Sequence, residues 1–153
     1  MLQLTVKVRM PTAEQLLQRH GLQKDGPVQQ FWTNTIRRRV SRYMPYRSGV
    51  LSSKLTFVSK PSEITTLGPY ARYQYYGHVM VNAATGKGPR MIPGVGLRWP
   101  KGASLRQTQR PLQYDSTKNS KAGPLWDKRL MEAEGDAILT EMHDYVRARE
   151  GRL

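Results

Sequence analysis

From Asn82 to Lys121 the chain carries no sustained apolar period, and this limits what the remainder can build. Five glycines and four prolines fall between Gly86 and Pro111. Eight basic residues stand in the segment against one acidic residue, Asp115. A loop of this length inside a compact domain is either functional or disordered. The segment 82–121 therefore reads as a long extended arm, flexible in the isolated chain, with one short strand at Leu112 to Tyr114. The core must come from the flanks. A chain of 153 residues is long enough for one domain with a real core, taken as 1–153, and short for two.

The flanks are periodic. Leu2, Leu4, Val6 and Val8 alternate with polar residues, as a half-buried strand does. Thr12 is placed to cap a short helix through Leu17, closed by His20-Gly21. Asp25-Gly26-Pro27 opens a longer helix, with the aspartate as cap and the proline in the first turn. Val28, Phe31, Trp32, Ile36, Val40, Tyr43 and Met44 line one face of that helix, expected over 27–44 and stopped by Pro45. Lys54 to Lys60 and Glu63 to Leu67 read as a hairpin turning at Pro61-Ser62, and His78 to Val81 as a further strand.

A second stripe runs through Trp126, Leu130, Ala133, Ala137, Ile138, Met142, Tyr145 and Val146, a helix expected over 124–148. Asp127 in its first turn and Arg147 and Arg149 in its last suit the helix dipole. Lys128 and Glu132 are spaced to pair. Gly135 sits mid-helix at a cost of ~1 kcal/mol, as close packing would require. The fold class is α+β: a small antiparallel β-sheet packed by a long helix and a C-terminal helix, with the 82–121 arm outside.

Composition narrows the chemistry. The net charge is +14, so polyanions or acidic protein surfaces attract the chain. There is no cysteine, which excludes a disulfide scaffold, a zinc-thiolate site and a cysteine nucleophile. No apolar run approaches the roughly 18 residues that span a bilayer, and the N-terminal stretch alternates rather than forming a leader. The expectation is a cytosolic, unprocessed protein with no membrane partner. His20, His78 and His143 fall in different elements without metal spacing. Glu132, Glu134, Asp136, Glu141 and Asp144 read as a solvated helix face. No catalytic residue, metal site or cofactor follows, so the chain is not read as an enzyme. The basic run Arg37, Arg38, Arg39 and Arg42, together with Trp99 and the tyrosines, leaves a small basic nucleic-acid-binding protein as an alternative.

Four tyrosines crowd the stretch YARYQYYG at 70–77. Tyr70 and Tyr73 share a face on a helix, whereas Tyr73 and Tyr75 share one on a strand; either geometry packs rings against the long helices. The wider segment PYARYQYYGHVMV at 69–81 resembles a hallmark of the minor capsid proteins of tailed bacteriophages. Upstream, Pro45 and Ser48-Gly49-Val50-Leu51 match the family's segment, with serine in place of its usual threonine. Thr85 to Gly88, Pro111 to Tyr114, and AGPLWDKRLMEAEG at 122–135 follow in order, so that the resemblance covers roughly residues 27 to 147. The stretch from Arg90 to Arg110 departs from it, being proline-rich and more basic.

The resemblance implies a head-tail connector of the virion neck. Copies would form a homo-oligomeric ring, commonly of roughly six- or twelvefold symmetry, between portal-side and tail proteins at the head-tail junction, after synthesis in the host cytoplasm. Packaged DNA passes through such a neck, so nonspecific DNA contact is implied. Lys87, Arg90, Arg98, Trp99, Lys101, Arg106 and Arg110 are then expected at subunit or partner contacts. Arg37, Arg38, Arg39 and Arg42 are expected to face the DNA lumen or a partner. Ser48, Gly49, Leu51, Tyr70, Tyr73, Tyr76, Gly77 and Trp126 are expected to define the fold.

Overall fold

A computed structural model describes residues 11–68 and 70–151. The expected strand through Leu2 to Val8 lies outside the described residues. The first helix, α1 (Ala13–His20), starts at Thr12, whose hydroxyl accepts from the Gln15 amide while the Gln15 side chain returns a bond to the Thr12 amide. This reciprocal capping box satisfies two otherwise free N–H groups. Gly21 ends the helix in the left-handed region at φ 72°.

The long helix is α2 (Pro27–Val40), continued by a short 3-10 turn at Ser41–Tyr43. Asp25 does not cap it. The cap position is Gly26, and Asp25 sits at φ 58°. Pro27 starts the helix because its missing N–H leaves no partner unsatisfied. The stripe buries Val28, Val40, Tyr43 and Met44, with Trp32 and Ile36 half-buried beside them. Thr33 and Thr35, outside the apolar stripe, are buried as well.

After α3 (Val50–Ser53) come β1 (Thr56–Lys60) and β2 (Glu63–Thr66), an antiparallel pair turning at Pro61-Ser62. They pack against α2, where the Thr33 hydroxyl donates to the Pro61 carbonyl at 2.6 Å. Next come α4 (Ala71–Tyr76) and β3 (His78–Asn82). The two conformations open for the tyrosine stretch thus resolve to helix.

The 82–121 arm is where the structure departs most from expectation. It folds into β4 (Arg90–Ile92), β5 (Gly96–Arg98) and β6 (Leu105–Pro111). β6 returns antiparallel to β3, and β4 pairs with β5 at the far end, giving a two-tier β-ribbon. The strand falls at 105–111, and Leu112 to Tyr114 is not a strand. The missed signal is register: β6 pairs with β3 across an insert of more than twenty residues, a separation no local pattern reveals. The α+β class holds, but among the described residues three separate two-stranded sheets replace the one small sheet expected.

The final helix, α5 (Trp126–Glu150), closes the core against α2. It starts two residues later than expected, after Leu125 in the left-handed region at φ 46°. Trp126, Leu130, Ile138 and Met142 are buried, and the first three form the central core cluster with Val40, Tyr43 and Met44.

Candidate assembly interface

The arginines of α2 divide by direction. Arg37 donates from Nε to the Thr56 carbonyl at 2.8 Å and from Nη2 to the Ser52 carbonyl at 2.5 Å, tying α2 to β1 and α3. Arg39 donates to Glu134 at 2.6 Å and to Glu141 at 2.7 Å on α5. Tyr43 adds a hydroxyl donor to Glu134 at 2.9 Å. The Arg39 hydrogen bonds, opposed by burial, hold both carboxyls below the usual glutamate range. Arg37 and Arg39 are therefore engaged inside the fold, not turned to DNA or a partner. Arg38 pairs with Glu141 at 2.5 Å, and Arg42 lies 3.9 Å from Glu134. Both keep more than half of their side chains exposed.

Two of the carboxylates read as a solvated face are thus partly buried partners of Arg39. Glu134 and Glu141 were legible in principle. Leu130, Glu134 and Ile138 recur every fourth residue, so Glu134 lies in phase with the apolar stripe. Of the other α5 acids, Glu132, Asp136 and Asp144 form no ion pair among the described residues, and Lys128 does not reach Glu132.

The tyrosine helix locks the ribbon to the core. Tyr75 meets Trp126 edge to face at 5.0 Å, and its hydroxyl donates to Asp127 at 2.9 Å. Burial, with that hydrogen bond, pushes the Tyr75 hydroxyl up to about 12. Tyr73 is also raised by burial. Tyr76 is 50% exposed, so Tyr75, not Tyr76, anchors the fold here. Gly77 ends α4 at φ 75°, and a Cβ there would lie 2.8 Å from Cβ of Pro124. Tyr114 donates to the Gln74 carbonyl, fastening the strand return. Tyr70 packs edge to face on Tyr73 and donates to the Leu97 carbonyl at 2.6 Å, holding the base of the β4–β5 hairpin.

Gly49 (φ 77°) takes a left-handed turn over the Tyr46 ring, and Leu51 packs half-buried against the core. Ser48 is exposed.

Beyond that anchor the ribbon is open. Lys87, Arg90, Arg98, Lys101, Arg106 and Arg110 are all exposed, and Trp99 is half-buried. None of the six cations pairs with a carboxylate among the described residues; Arg98 donates to the Leu97 carbonyl at 3.0 Å. Met91, Ile92, Val95 and Leu97 expose between 40% and 68% of their surface. Apolar groups crowded at a hairpin tip and ringed by cations mark a contact surface.

Among the described residues no helix is long and apolar enough to cross a membrane, and no cluster of histidine or carboxylate has the makings of a metal site. A family model described as Minor capsid protein matches residues 4–110. No curated protein and no solved structure matches the chain.

Proposed function

The chain belongs to the minor capsid protein family of bacteriophages, and from that premise we propose that it is a connector of the phage neck. A structural role in the virion comes with the membership. In the neck, copies form a homo-oligomeric ring, of roughly six- or twelvefold symmetry, joining portal-side proteins to the tail and leaving a passage for DNA.

The observation that supports this reading is the open β-ribbon. Its tip exposes four large apolar residues and contributes nothing to the core. In a lone soluble chain such a surface is an aggregation hazard, whereas in a ring it is the joint between neighbours. The surplus of cations on the same ribbon gives a joint to acidic protein faces, or a contact with passing DNA.

Imaging the head-tail junction of purified particles tests the proposal. Density for a closed ring of this chain between portal and tail supports it. A chain absent from the junction, and recovered from host cytosol bound to nucleic acid with a steep salt dependence, overturns it in favour of a small basic nucleic-acid-binding protein.

A further inference from the structure

Charge is distributed unevenly along the chain. From His78 to Pro111 there are six Lys and Arg and no acidic residue. α5 holds seven of the eleven acidic residues against four Lys and Arg. Two of the seven, Glu134 and Glu141, turn inward to Arg39. Glu132 and Asp136 face outward, one turn apart, with Leu139 next on the same face and 48% exposed. Like charges one turn apart repel on a helix.

The hairpin carries the matching defect. Arg90 and Arg98 stand directly opposite each other in the β4–β5 register. Like charges in that position destabilise a pair of strands. Ile92, two residues along from Arg90, lies on the same face and is 43% exposed. Opposed Cα atoms in a hairpin and successive turns of a helix both set neighbours about 5–6 Å apart. Two guanidinium groups and two carboxylates therefore meet at a common spacing, with an exposed aliphatic residue beside each pair. Neither surface is joined to the other by a hydrogen bond or ion pair within one chain, among the described residues.

We infer that the β4–β5 hairpin of one copy docks, through Arg90, Ile92 and Arg98, onto the Glu132–Asp136–Leu139 stripe of α5 in a neighbouring copy. With its hairpin on one neighbour and its stripe under the hairpin of another, each copy makes the contact head-to-tail. Such contacts close into a ring when the rotation between neighbours permits. The inference rests on the reading of the chain as an assembling neck protein, and it names the receptor surface for the ribbon. Phosphate is the competing occupant for paired arginines, but it explains neither the exposed aliphatic residues nor the acidic stripe.

The chain has no cysteine, which makes a cross-link specific. Particles are produced with the double variant Ile92→Cys and Leu139→Cys, oxidised and run on non-reducing gels beside each single variant. A ladder of covalent oligomers from the double variant alone supports the contact. Particles that contain the chain but yield no ladder overturn the contact and leave the connector role standing. An unsubstituted chain that is folded by circular dichroism yet missing from particles counts against the connector role itself, and with it the contact.

Charge reversal is the second arm. Arg90→Glu with Arg98→Glu, or Glu132→Arg with Asp136→Arg, is expected to lower incorporation into particles at least about tenfold. Combining all four substitutions is expected to restore it. Loss from the hairpin reversal alone, with no effect of the helix reversal and no rescue, assigns the arginines to DNA or another protein and overturns the inference.

Discussion

Gly77 and Tyr75 show how few residues hold the ribbon to the core. Gly77 has a positive φ of 75° and Pro124 Cβ at 2.8 Å from where its own Cβ would be. The left-handed conformation costs an L-residue about 1–2 kcal/mol, and the rigid proline ring adds steric repulsion. Gly77→Ala is therefore expected to destabilise the fold by at least about 2 kcal/mol, read as a lower midpoint in urea unfolding. Tyr75→Phe keeps the ring on Trp126 and removes only the bond to Asp127, a loss of about 1 kcal/mol. Tyr76→Ala, at a half-exposed ring, is expected to change stability less than Tyr75→Ala does. The reverse order would place the anchor at Tyr76. The sequence shows four tyrosines in eight residues but not their directions, because helix and strand assign different neighbours to each ring.

The α2–α5 pairing is the element on which the fold turns, and half of it was legible. The two apolar stripes give both helices and the buried positions Val40, Tyr43, Leu130 and Ile138. The Arg39–Glu134–Glu141 contact was not legible as a pair, since its members lie about a hundred residues apart and charge alone does not reveal a partner. The glutamates have lowered folded-state values, so their stabilisation is fully present above the ordinary value of 4.5 and is lost as pH falls through the lowered ones. Thermal midpoints are expected to fall steeply below about pH 4.5, with Glu134→Gln flattening that fall while lowering the midpoint at neutral pH. A dependence unchanged by Glu134→Gln would remove the cluster from that role. Gly135 is a different case on the same helix. It was read as a close-packing position, yet an added Cβ meets only Met131 Cε, at 3.9 Å. Gly135→Ala is accordingly expected to stabilise α5 by about 0.5–1 kcal/mol, raising the melting temperature by roughly 1–4 °C.

At the scale of the whole molecule, a compact α2–α5 core carries a β-ribbon that gives the core almost nothing. Composition identified the segment: five glycines, four prolines and a surplus of cations mark a region with no core-building period. Its shape escaped because β3 and β6 pair over a distance at which strand recognition depends on the finished fold. The division of labour can be tested by shortening. Asn82 and Leu105 are opposed in the β3–β6 register, so Asn-Gly in place of residues 83–104 closes the strands through a two-residue turn. No residue from 83 to 104 is buried, and the exposed Tyr70 bond to Leu97 is the tie to α4 that disappears. The shortened chain is expected to melt cooperatively within about 1 kcal/mol of the full chain, and to be absent from assembled particles. Loss of cooperative melting would make the ribbon part of the folding unit. Normal incorporation would show that the joint between neighbours lies elsewhere, because a chain stripped of its exposed apolar tip and most of its unpaired cations would still find its place in the virion.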